Sequence, residues 1–220
     1  MEFEEKLSVI FLEFIKQTID LEFFIDQMIS LIEDQSVEGV WKEVMNSFIP
    51  GQNSLFLKIV HIYSITIFET FNREFFNELN EEKNLIRKNF KTTPLKILKF
   101  FDANFQINFE NEFKIWEELR ECICRRNVIA HNMGKIDEAY IECNKHPDMA
   151  LIDKVIGIDI DHNLEYIKKS NDTVGKYIVF TFKKIAEYYK FIDIESTVKI
   201  IAENGYFDDV NSDLLNDVDI

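Results

Sequence analysis

At 220 residues and 46% apolar, the chain is long enough for one sizeable core and too apolar to be disordered. A net charge of −15 repels phosphate backbones at long range, so bulk charge gives nucleic-acid binding no support. Twenty-one Phe set against 6 Gly and 3 Pro favour long helices over many short strands, so the expected fold class is an all-α, antiparallel helical bundle.

Residues 3–33 read as one helix or two in sequence, with an apolar face of Leu7, Ile10, Phe11, Phe14, Ile15, Leu21, Phe24, Ile25, Met28 and Ile32. Ser36 opens a short helix carrying Val40, Trp41 and Val44, and Pro50-Gly51 is the clearest break in the first half. The expected division is an N-terminal helical appendage over 1–50, the main bundle over 51–192, a terminal helix over 193–205 and an acidic tail over 206–220. Residues 54–79 form the next long helix, on which Val60, Ser64, Ile67, Phe68, Phe71, Phe75 and Leu79 share one side. A basic helix follows to about Asn89. Pro94 suits the first turn of another helix capped by Thr93. Between residues 83 and 101 lie Lys83, Arg87, Lys88, Lys91, Lys96 and Lys99 with no carboxylate. That run is read as a solvated helix pair, with a local basic face as the alternative.

One helix is expected from Glu110 to about Asn132 and a short one over 136–144. Val155-Ile-Gly-Ile-Asp-Ile160 alternates like a strand, but is read as a lead into the next helix. Asp161 is the expected N-cap of that helix, which runs to about Phe191 with Gly175 as a weak point. Glu195–Asn204 closes the helical series.

Projected onto a helix, Ile115, Trp116, Leu119, Ile123, Ile129 and Ala130 share a face, with Glu117, Glu118, Glu121 and Arg125 opposite. Arg126 projects into the middle of the apolar face. A buried guanidinium costs several kcal/mol unless paired, so Arg126 demands a reason. Either an acid on a neighbouring helix such as Glu69 holds it, or it has a chemical role. Asn127 and His131 are i,i+4 neighbours on the flank, in line with Arg120 and Cys124.

Arg126-Asn127-x-x-x-His131, late in a long helix and followed by Asn132-x-Gly134-x-Ile136-Asp137-x-x-Tyr140, resembles the HEPN domain. The likeness is to bacterial members of toxin–antitoxin and antiphage systems. The upstream Ser64-Ile-Thr-Ile-Phe68-Glu69-x-Phe71 and the later Gly157-x-Asp159 are similar too, so the resemblance spans about 52–192. It implies a HEPN-type bundle with the 1–50 segment as an addition, and a metal-independent endoribonuclease needing no cofactor. It maps the family's Arg, polar companion and His onto Arg126, Asn127 and His131. Arg125 is an alternative Arg that can reach a phosphate, and Arg125, Arg120 and Asn132 are the candidate substrate-binding residues.

The residue types suit that chemistry. RNA carries its own 2′-hydroxyl nucleophile. An imidazole can take its proton or protonate the leaving 5′-oxygen. A guanidinium can fork onto phosphate oxygens and stabilise charge on the phosphorane. Arg126 and His131 stand about 140° apart on an ideal helix. They converge only if the helix distorts near Ala130 or if a second copy supplies the complement. The family's two-fold dimers do the latter, so a homodimer is expected. RNA is the implied substrate and a nucleotidyltransferase-like antitoxin a further partner. The rival reading is a non-catalytic dimerisation module that binds a protein partner.

Cys122, Cys124, Cys143 and His146 invite a zinc reading, but Cys122 and Cys124 point about 200° apart on a helix. His61 reads as a satisfied core histidine. Three cysteines suggest no disulfide framework. The start Met1-Glu2-Phe3-Glu4-Glu5 lacks the basic opening of a signal peptide, and no run reaches the ~18 uncharged apolar residues of a membrane helix. A cytoplasmic, membrane-free setting is expected.

Overall fold

The computed structural model describes residues 3–33, 55–83, 94–143, 156–160 and 163–191, and over these the protein is all-α. The helices are α1 (Phe3–Glu33), α2 (Leu55–Lys83), α3 (Pro94–Phe105), α4 (Phe109–Glu112), α5 (Trp116–Asn132), α6 (Glu138–Cys143) and α7 (Leu164–Tyr189). The expected Ser36 helix, the basic helix before Asn89, the Thr93 and Asp161 caps, the 193–205 helix and the acidic tail lie outside the described residues. Pro94 does open α3, and residues 3–33 are one helix.

The chain packs as two compact units. Met1–Ile19, Ile67–Lys114 and Gly175–Ile220 form one; Asp20–Thr66 and Ile115–Val174 form the other. This division does not follow the break at Pro50. α1 supplies Leu7, Phe11 and Phe14 to the first core and Leu21 and Ile25 to the second, because its apolar stripe runs its whole length.

The first unit has an aromatic core. Phe11 stacks on Phe182 with centroids 4.2 Å apart, and Phe76 and Phe100 meet at 4.2 Å. Such pairs add about 0.5–1.5 kcal/mol each beyond their buried area. The buried Tyr177 donates its hydroxyl to Asn72 Oδ1 at 2.5 Å, and Asn72 Nδ2 donates to the Phe68 carbonyl at 2.7 Å. The one expected helix over 110–132 is broken: α4 ends at Glu112 and α5 starts at Trp116. The break follows from Phe113. Its backbone is extended, and its ring is buried 5.1 Å from Phe180. Asn108 caps α4, accepting from Asn111 N, while Glu112 Oε1 accepts from Asn108 N at 2.8 Å.

In the second unit, α5 is the central element. Glu121, Cys122, Ile123, Cys124 and Arg125 are buried in succession, more than a full turn. Val60, Ser64 and Ile65 of α2 and Ile167 and Val174 of α7 are buried in the same unit. Past α5 the chain folds into a hook. The amides of Ile136 and Gly157 bond the carbonyls of Ile158 and Ile136, both at 2.8 Å, and Ile160 N bonds the Gly134 carbonyl at 2.7 Å. So the segment read as a helix lead pairs instead, at an isolated antiparallel bridge between Lys135 and Asp159. α7 is capped by Asn163, whose Oδ1 accepts from Tyr166 N at 2.8 Å.

Candidate active site

The two adjacent arginines of α5 are placed opposite to expectation. Arg125 is the buried one, 6% exposed, whereas Arg126 is half-buried. The single-face projection fails because the buried side of α5 rotates along its length. Trp116, Leu119 and Ile123 face inward at one end; Cys124, Val128 and Ile129 do so at the other. Ala130, expected on the apolar face, is exposed.

Arg125 is held by two groups. Its Nε donates to Glu121 Oε1 at 2.7 Å, and its guanidinium carbon lies 3.7 Å from the centroid of the Tyr166 ring. Glu121 accepts from two further groups: Oε1 also takes the Tyr140 hydroxyl at 2.7 Å and Oε2 the Tyr166 hydroxyl at 2.5 Å. Burial opposes the charge on Arg125, but Tyr166 and Glu121 outweigh it and hold the guanidinium firmly protonated. Burial, then the Glu121 carboxylate, pushes the Tyr140 hydroxyl up. Arg125 is therefore enclosed in the core, which corrects its expected place on the solvent face of the helix.

Arg126, Asn127 and His131 belong to the last turns of α5. Arg126 Nη1 donates to Asn127 Oδ1 at 3.0 Å, so the structure brings these two together. Asn127 and His131 are exposed, and His131 makes no hydrogen bond or ion pair among the described residues. No hydrogen bond joins Asn127 to His131. Arg120 pairs with Glu117 at 3.0 Å, on the turns before the motif. Asn132 is engaged in the hook, its Nδ2 donating to the Lys135 carbonyl at 2.6 Å.

The extension after the motif has a physical meaning. Asn132 closes the turn. Gly134 takes φ +85°, and its amide bonds the Val128 carbonyl at 3.1 Å. The Lys58 ammonium of α2 lies where a side chain at 134 would begin, 2.9 Å from an ideal Cβ. Asp137 Oδ1 accepts from Tyr140 N at 2.8 Å, starting α6, and Tyr140 anchors α6 on Glu121. Asn132-x-Gly134-x-x-Asp137-x-x-Tyr140 is thus a folding signal for the hook. Glu121 and Tyr166 escaped the sequence reading. The only sign was an acid four residues before Arg125.

His61 is a satisfied core histidine: Nε2 lies 3.0 Å from the Cys122 carbonyl oxygen and Nδ1 lies 3.2 Å from Ser170 Oγ. Cys124 and Cys143 are joined as a disulfide, with Cα atoms 6.5 Å apart, where no disulfide was expected. Spacing along the sequence hides this pair because the hook turns α6 back onto α5. Cys122 is a free thiol, and burial pushes its pKa up. His146 lies outside the described residues.

No family model, curated protein or solved structure matches this chain. The functional reading rests on the residues themselves. Among the described residues, no helix is long and apolar enough to cross a membrane.

Proposed function

We propose that the protein is a metal-independent endoribonuclease of HEPN type, acting as a homodimer, with a toxin-like or antiphage role. The observation that carries this reading is the split between the two arginines. Arg125 is the one that the core encloses, while Arg126 is half-buried beside the exposed Asn127 and His131. In this mechanism His131 relays the proton between the 2′-hydroxyl and the leaving 5′-oxygen. Arg126 stabilises the phosphorane, and Asn127 holds the Arg126 fork. The products are a 2′,3′-cyclic phosphate and a 5′-hydroxyl.

A second copy completes the site. α5 is helical without interruption from Trp116 to Asn132, so no distortion near Ala130 brings Arg126 and His131 together within one chain. On α2, Leu55 (70% exposed), Ile59 (54%) and Tyr63 (49%) form an i,i+4,i+8 apolar stripe turned to solvent. The same stretch of α2 touches α5 and the hook through His61 and Lys58. In this reading a second chain seated on that stripe buries it, and the two copies together supply the arginine and the histidine.

The rival is a non-catalytic dimerising module that binds a protein partner; the charge of −15 favours it. Induced expression in a bacterial host separates the two. The ribonuclease reading expects growth arrest with wild type and none with His131→Ala or Arg126→Ala at equal protein levels. Equal growth with all three favours the silent module.

A further inference from the structure

We propose that Cys124 and Cys143 form a reversible thiol–disulfide clamp, a redox modification site that locks the hook onto the motif helix. The two residues sit on different helices, α5 and α6, and their Cα separation of 6.5 Å falls in the range of ordinary disulfides. That separation is set by packing that does not involve sulfur bonding. Val128, Ile129, Ile136, Tyr140 and Ile160 form one buried cluster around the pair. Tyr140 is tied to Glu121, and backbone bonds tie Ile136 to Ile158 and Gly157. The dithiol therefore fits the same backbone as the disulfide, so the bond opens and closes without refolding.

The two sulfurs differ in access. Cys143, the last residue of α6, is half-buried, whereas Cys124 is buried behind it. The exchange partner is a small disulfide such as oxidised glutathione. The Cys143 thiolate attacks one sulfur of that disulfide, and one small thiol leaves. The Cys124 thiolate then attacks the Cys143 sulfur of the mixed disulfide, and the second small thiol leaves. Two protein thiols are oxidised, one small disulfide is reduced to two thiols, and the protons pass to those thiols. Cys122 does not compete: it is buried and lies two positions from Cys124 on the same helix, pointing about 200° away. Closing the clamp ties the end of α6 to α5 two turns before His131, and so stiffens the chain that leaves the motif.

The inference stands apart from the ribonuclease reading, and its test contains no RNA. The full chain is equilibrated in a series of reduced-to-oxidised glutathione ratios, quenched in acid, alkylated after denaturation and mapped by peptide mass. The clamp predicts one cooperative transition from three free thiols to a 124–143 link with Cys122 still free. It also predicts slower amide exchange over 136–143 and 156–160 in the oxidised form and a Tm higher by about 5 °C. Cys143→Ser, on the more accessible side, abolishes the link; Cys124→Ala does so independently. Three free thiols at every ratio, a link through Cys122, or identical exchange and Tm in both forms would overturn it. A chain that forms the clamp and leaves RNA intact would refute only the ribonuclease reading.

Discussion

Arg125 and Glu121 form an ion pair inside the protein, one helical turn apart with Nε 2.7 Å from Oε1, and Tyr166 both stacks on the cation and donates to the anion. Removing one partner strands the other in a low-dielectric interior. Arg125→Ala is expected to destabilise by about 3–5 kcal/mol, and the double variant Glu121→Gln/Arg125→Met by clearly less. Arg126→Ala, one residue on, is expected to cost about 1 kcal/mol or less. Urea unfolding of the three variants checks this. Equal losses at 125 and 126 would mean that the two arginines share the structural role.

The hook gives two predictions of opposite sign. Met133 is 85% exposed and held at φ +54°, a left-handed conformation that a side chain resists. Met133→Gly is expected to stabilise by about 0.5–1 kcal/mol. Gly134 stands at φ +85° under the Lys58 ammonium, so Gly134→Ala is expected to destabilise by about 1–2 kcal/mol. The flexible end of Lys58 can move aside, so Lys58→Ala restores little of that loss. Thermal unfolding of the two variants and the double variant measures these terms.

Glu112 gives a pH signature. Burial raises its pKa, but the Asn108 amide and the Lys184 ammonium, at 2.8 and 3.0 Å, outweigh burial and hold it below the usual carboxylate range. A depressed folded pKa means that the contribution is full above the unfolded value, near 4.5, and is lost as pH falls through the folded value. Glu112→Gln is therefore expected to lower stability at pH 7 by a few tenths of a kcal/mol, because the carboxylate is exposed and screened. The gap from wild type closes as pH falls through that lowered folded value. A gap that widens on acidification contradicts the assignment.

The fold class and the long helices were legible because apolar periodicity records burial. Val60, Ser64, Ile67, Phe68, Phe71, Phe75 and Leu79 are all buried as the projection of α2 requires. The candidate site was legible by pattern but not by geometry. Periodicity assumes one buried face, and α5 is buried all round from Glu121 to Arg125, so the inward arginine was assigned one residue too late. The disulfide and the Glu121–Tyr140–Tyr166 cluster join residues brought together by the hook and by α7, and no local pattern encodes such pairs. Phe24, placed on the apolar face of α1, is largely exposed, its ring 6.0 Å from Phe56 of α2.

The stripe on α2 tests the assembly. Ile59→Lys puts a charge at the centre of the Leu55–Ile59–Tyr63 row without touching a buried residue. Sedimentation equilibrium is expected to show a dimer for wild type and a monomer for the variant, with unchanged circular dichroism. A variant that remains dimeric places the interface elsewhere.

The most direct measurement is cleavage of a labelled RNA by the purified protein in the presence of a metal chelator, with analysis of the product ends. Wild type is expected to leave 2′,3′-cyclic phosphate and 5′-hydroxyl ends. Arg126→Ala and His131→Ala are each expected to lose at least about 100-fold in rate. Intact RNA with folded, dimeric wild type, or cleavage that survives both substitutions, would contradict the account.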